Sequence, residues 1–375
     1  MPFLDPDILI EKAQQLVRSD DLLGEEWQPA FRMLVESIER EAGHHPSRTE
    51  KVVPEMLSLL ATRGRVAALL RERPELRESP MPAPAVITGL PRTGTTLLHN
   101  LMGSVPGNRA YRLWELRAPV FPRGAPPDQA RREFEGTQEV LTWLYRRAPG
   151  FQAIHPMAAG APDECNWLLR PTFRTPFFAW LNHVPSYERF LAEVDFRPAY
   201  RDWDLFLRLI RWRSPGGAPV LKDPGHIWAI DALFAVRPDA RLIVMAREPE
   251  ASVPSFCSLC STLQHMDADG PGEEAIGRYT LRMLEHGLKR LERACDEHRE
   301  KILIVDYRRL VADPVATVGE IQRWLGRPFD SRGEAACRAF LAGQTRHKKH
   351  SYSLEQFGLG RDSLPSLDLP GFSPA

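Results

Sequence analysis

Long apolar runs, net charge and cysteine are all scarce in this chain, and each shortage narrows its function. No apolar stretch approaches the ~20 residues that a membrane-spanning helix needs, and the opening "MPFLDPDILIEKAQQL" carries acidic residues where a secretory leader carries positive charge. No integral membrane segment is expected, while contact with a membrane surface stays open. Lys+Arg and Asp+Glu both number 49, so the formal net charge is zero. No global field then recruits nucleic acid, and any anion site must be local. The five cysteines (Cys165, Cys257, Cys260, Cys295, Cys337) are odd in number and scattered, which does not suit a disulfide framework and points to a reducing, cytoplasmic setting. Internal repeats and low-complexity tracts are absent as well.

What is present is a 375-residue chain with 43% hydrophobic and 26% charged residues, enough for one large α/β domain with additions. From Asp5 to about Arg73, apolar residues recur at helical spacing (Phe31, Leu34, Ile38; Val53, Met56, Leu57, Leu60), which predicts two or three amphipathic helices. The proline-rich "RPELRESPMPAP" ends them. Beyond it, the short β-type runs "AVITG", "PVLK", "RLIVMA" and "KILIVD" alternate with helical stretches, the pattern of βαβ units around a mainly parallel sheet. Asp313-Pro314 and Gly326 bracket a capped helix. The expected organisation is a helical extension over 1–80, a three-layer α/β/α domain over 81–345, and a C-terminal segment over 346–375.

The most informative run is "VITGLPRTGTTLLHNLM", Val86 to Met102. Gly89 and Gly94, followed by Thr95 and Thr96, have the spacing of a phosphate-binding loop between a strand and a helix, except that Thr95 stands where a lysine is usual. Backbone N–H groups and the helix dipole at such a turn attract an anion. Arg92, inside the loop, restores the positive charge and can grip two oxygens of a phosphate or sulfate. The bland alternative is a strand-to-helix turn whose glycines serve packing alone.

The run "GLPRTGTTLLHNLM" resembles the loop that binds the 5′-phosphosulfate in sulfotransferases using PAPS (3′-phosphoadenosine 5′-phosphosulfate). "RLIVMAREPEASVPSF" is similar to that family's 3′-phosphate element, a strand ending in Arg (Arg247) with a Ser eight residues on (Ser255). "VLKDPGHIW" resembles a bacterial segment in which Ser is common where Asp223 stands. "DYRRLVADPVATVGEIQRWLG" and "HKKHSYSLEQFGL" look like the family's last conserved stretches, with Arg308 where Glu is usual. The likeness covers most of the chain from about Ala85 to Gly360. It implies a P-loop-like sulfotransferase fold, PAPS as donor with adenosine 3′,5′-bisphosphate as product, no metal, and a small hydroxyl acceptor. The donor contacts implied are Pro91, Arg92, Thr93, Gly94, Thr95, Thr96, Arg247 and Ser255, joined by Arg346 and Lys348 from the C-terminal segment.

Sulfuryl transfer needs positive groups, positioning and a base for the acceptor hydroxyl. Arg92 and Lys222 are the candidates for charge stabilisation. For the base the resemblance offers Glu115, favoured, and His226, four residues after Lys222; Asp163 and Glu164 are a third possibility, read more simply as a capping pair. The aromatic segment "NWLLRPTFRTPFFAWLNHVPSYERF" suits the wall of a pocket for an apolar alcohol or phenol, or ordinary core. "CSLC" reads as structural thiols. Two rival functions remain: an ATP- or GTP-dependent kinase using Asp306 for magnesium, which the missing lysine disfavours, and a non-catalytic nucleotide binder on the same fold.

Overall fold

The computed structural model describes residues 4–42, 46–122, 124–266, 270–344 and 352–372. Its centre is a five-stranded sheet of order β2-β3-β1-β4-β5, formed by β1 (Ala85–Gly89), β2 (Asn108–Ala110), β3 (Ala218–Lys222), β4 (Arg241–Ala246) and β5 (Ile302–Asp306). Every pairing is parallel. The apolar runs read from the sequence are therefore strands covered by helices, and β1 is buried along its whole length. The strand missed in the sequence is β2: three half-buried residues, "NRA", give no apolar signal.

Three helices precede the sheet: α1 (Pro6–Val17), α2 (Gln28–Glu41) and α3 (Pro46–Glu72). The Asp5 carboxylate caps α1 by accepting from the N–H groups of Asp7 and Ile8. These helices share one core with the α/β elements: Phe31 and Trp27 pack on Phe173, with centroids 4.7 and 5.8 Å apart. Arg63 of α3 locks the contact. Its buried guanidinium donates to the carbonyls of Leu22, Leu23 and Pro171 and meets Asp202 at 2.7 Å, so its N–H groups are satisfied in the interior.

The ends of β1 and β4 position the site. Gly89 pairs with Met245, and its φ of +134° is one that side chains rarely adopt. A Cβ there would lie 2.4 Å from the Met245 carbonyl oxygen. The chain can turn from β1 into α4 (Thr95–Ser104) only with glycine at this point. Gly89→Ala is expected to destabilise the protein by more than ~1 kcal/mol, since it combines a disallowed φ with a backbone clash; thermal unfolding of the variant beside the parent checks this.

Candidate active site

The loop from Leu90 to Gly94 is held from three sides. Arg92 has a φ of +70°, left-handed for a non-glycine residue. Its carbonyl accepts a hydrogen bond from Arg247 Nη1 at 2.9 Å, while its own Nε donates to Ser255 Oγ at 3.2 Å. Arg247 leaves the end of β4 and lies 4.2 Å from the Tyr307 ring centroid. Tyr307 in turn covers Gly94, where a Cβ would come within 2.7 Å of the ring. Thr93 Oγ1 closes the turn by donating to the Leu90 carbonyl at 2.7 Å. Arg92, Arg247 and Ser255, 163 positions apart at their extremes, thus meet at the start of α4. Among the described residues neither arginine pairs with a carboxylate. Two guanidiniums, helix-start N–H groups and hydroxyls with no carboxylate in direct contact make a seat for a polyanion.

Beside the loop lies a polar cluster. Lys222 ends β3 with its side chain buried; Nζ donates to Glu164 Oε1 at 2.7 Å and to Thr96 Oγ1 at 3.3 Å. Asn166 Nδ2 donates to the other Glu164 oxygen at 2.7 Å. Burial works to raise the Glu164 pKa, but Lys222 and His155 outweigh it and hold the carboxyl below its ordinary value. Its neighbour Asp163 goes the other way. Burial pushes its pKa up against the attraction of Lys222, helped by the adjacent Glu164 charge. Burial lowers His155, with Glu164 working against it. Two adjacent carboxyls are therefore driven apart, one fixed as a counter-ion and one raised towards neutrality.

The cluster and the loop open into one cavity of about 880 Å³. Arg92, Thr95, Thr96, His155, Asp163 and Glu164 line its polar part, and Trp143, Phe177, Trp180, Phe256, Leu263 and Met266 contribute apolar wall. Helix α3 supplies another side through Pro54, Glu55 and Leu59. Of the N-terminal helices, α3 thus shapes the site.

A family model described as the sulfotransferase family matches residues 84–331. This chain belongs to that family. The sulfotransferase fold also appears in solved structures: sulfotransferase STF1 from Mycobacterium tuberculosis H37Rv superposes with a TM-score of 0.83 and 28% identity over 96% of each chain. STF9 from Mycobacterium avium gives 0.80 at 24% identity, over 95% of this chain and 93% of that one. The omega-hydroxy-beta-dihydromenaquinone-9 sulfotransferase Stf3 of Mycobacterium bovis is 26% identical over 300 residues, 72% of this chain and 70% of its own. The chain is accordingly a sulfotransferase enzyme with a three-layer fold and a helical N-terminal region.

Within this sulfotransferase Glu115, favoured as base, and His226, the second choice, both stand away from the cavity lining. Glu115 lies in α5 (Leu113–Arg117), where Oε2 accepts from the Arg112 N–H at 3.0 Å and Oε1 pairs with Arg109 at 2.6 Å. Its carboxylate is committed to a helix start and does not line the cavity. His226 is wholly buried, with Nδ1 2.6 Å from Tyr200 Oη and Nε2 3.1 Å from Cys165 Sγ. Burial pushes its pKa down to about 3, so both ring nitrogens serve the core. Asp163 and Glu164, read as a capping pair, line the cavity beside the loop, together with His155, which carried no sequence signal. The acids' signal was the buried lysine: Lys222 at a strand end requires an acid partner, but nothing local reveals one 58 positions away.

Asp306 caps the helix Tyr307–Ala312 and pairs with Arg308 at 2.6 Å, so it is not a free metal ligand. Asp223 Oδ1 accepts from the Gly225 N–H at 2.9 Å, and burial raises its pKa to about 7. Cys257 and Cys260 are buried in the helix Pro249–Gln264, and burial pushes the Cys257 thiol up to about 12. Arg346 and Lys348 lie outside the described residues. Among the described residues no helix is long and apolar enough to cross a membrane. Glu115→Gln is expected to cost about 1–3 kcal/mol of stability by leaving Arg109 short of its partner, with turnover of the folded fraction nearly unchanged; chemical denaturation and an activity assay on the same preparation check both halves.

Proposed function

We propose that this sulfotransferase moves a sulfuryl group from PAPS to a hydroxyl of an apolar, lipid-like acceptor. The observation that carries the reading is the junction of an unneutralised Arg92–Arg247 pair with a large, mostly apolar cavity. The acceptor class gains support from Stf3, an omega-hydroxy-beta-dihydromenaquinone-9 sulfotransferase, and from the aromatic walls here, which favour an apolar body over a sugar.

The roles follow from charge and placement. PAPS supplies an activated sulfuryl group on a phosphate that leaves as an anion. Arg247 and Ser255 would hold the 3′-phosphate; Arg92, Pro91 and the backbone N–H groups over Thr93–Thr96 would hold the phosphosulfate. Lys222, touching Thr96, neutralises charge that grows on the bridging oxygen. Glu164 holds the Lys222 ammonium in place by a 2.7 Å contact. Asp163, whose pKa burial raises, accepts the acceptor's proton, and His155 beside it shares that electrostatic environment. These cations perform the neutralisation that magnesium provides for nucleoside triphosphate enzymes, so the reading requires no metal.

The test is transfer from labelled PAPS to a long-chain hydroxylated lipid. Arg92→Ala is expected to lower kcat by about 10²–10³, as for loss of a donor to developing charge, and Asp163→Asn by about 10²–10⁴, as for loss of a base. A protonated Asp163 cannot accept the proton, so kcat/KM should fall as pH drops through its raised pKa, and this acid limb should vanish in Asp163→Asn. Full activity of Asp163→Asn would remove that residue from the chemistry, and absence of transfer from PAPS to any hydroxylated acceptor would remove the donor assignment.

A further inference from the structure

One part of the cavity wall has no role in the chemistry above. Arg117, at the end of α5, and Arg170, just after the helix Asn166–Leu169, both line the cavity and both stack on Trp167. Their Cζ atoms lie 5.2 and 3.3 Å from its ring centroid, and Arg170 also lies 3.5 Å from that of Phe177. Stacking orients a guanidinium but leaves the in-plane N–H groups to find oxygens. They find few. Arg170 is 6% exposed, with Nε on Asn166 Oδ1 at 3.2 Å; the carboxylate paired with it, Glu55 of α3, stands 3.6 Å from Nη1, too far for a hydrogen bond. Arg117 Nη1 is buried with no hydrogen-bond partner among the described residues. The acids whose charge reaches them, Glu55 and Glu133 for Arg117 and Glu55, Asp163 and Glu164 for Arg170, form no hydrogen bond with either guanidinium among the described residues, and buried donors left open in a cavity wall are costly unless a ligand completes them.

We propose that Arg117 and Arg170 form an anion subsite for the acceptor itself, taking a carboxylate that the acceptor carries in addition to its reacting hydroxyl. This rests on the reading of the cavity as the acceptor site. Trp167 sets the spacing: its Nε1 donates to Asp163 Oδ1 at 3.2 Å while both arginines lie against its ring. The acid group and the hydroxyl under attack are then about one indole ring apart. The preferred acceptor is an amphiphilic hydroxy acid with the two functions near one end, not a neutral alcohol.

The experiment is calorimetric titration of the full chain, loaded with adenosine 3′,5′-bisphosphate, with 5-hydroxydodecanoate and with its methyl ester, alongside sulfuryl transfer to each. The acid is expected to bind on the order of tenfold tighter than the ester, as for a hydrogen bond to a charged group. Arg117→Met should erase that preference with bisphosphate affinity unchanged, and Arg117→Lys, which keeps charge but loses the fork, should restore part of it. Equal affinity for both probes, binding of neither, or an acid preference that survives Arg117→Met would overturn the subsite. Transfer to the ester without any acid preference would do so while leaving the proposed function standing. An acid preference abolished by Arg117→Met, with no transfer to either probe, would support the subsite and count against the acceptor chemistry proposed above.

Discussion

The hydrogen bond from Arg247 to the Arg92 carbonyl ties the end of β4 to the loop after β1, and the site is organised around it. A left-handed arginine is a conformation a chain does not adopt without support. Here the support is a charge-assisted bond on the carbonyl and a second contact from the side chain to Ser255. The same guanidinium lies over Tyr307, and Tyr307 lies over Gly94, so loop, strand end and following helix hold one another in a closed circuit. That circuit leaves two positive charges without carboxylate partners where a helix begins. The electrostatic cost of such an arrangement is tolerable only for a site built to receive an anion.

Beside the loop the opposite arrangement holds. Lys222 is buried and bonded to Glu164 and Thr96, and the Glu164 carboxylate that neutralises it is engaged in turn by Asn166. This pair fixes a cation beside the loop without adding net charge. It also separates the behaviour of two neighbouring acids: Glu164 is held ionised by Lys222, whereas burial raises Asp163. Adjacent residues of the same type thus acquire different chemical capacities from their surroundings alone.

The legible part of this architecture was whatever depends on local pattern. β1, β3, β4 and β5 were visible as apolar runs, Arg92 stood out inside its glycine-spaced loop, and Arg247 and Ser255 were implied by the family resemblance. The surroundings of Glu115 were not legible. The resemblance offered it as a base, but no local pattern reveals that a helix start and Arg109 engage its carboxylate. The same holds for His226, because a histidine between a tyrosine and a thiol reads no differently in sequence from one facing solvent. The cavity walls were half legible: the aromatic segment was marked, while α3 was not, since a cavity-facing stripe and a core-facing stripe share one periodicity.

The central claim is that the loop and the β4 end together hold a 3′-phosphorylated nucleotide. Calorimetric titration with adenosine 3′,5′-bisphosphate, beside ATP with magnesium, tests it most directly in the parent protein and in Arg247→Ala. Tight, metal-independent binding of the bisphosphate is expected, with little binding of magnesium ATP and a loss of ~1.5–3 kcal/mol of affinity in the variant, the worth of a hydrogen bond to a charged group. Preference for magnesium ATP, or a variant that binds the bisphosphate as well as the parent does, would contradict it.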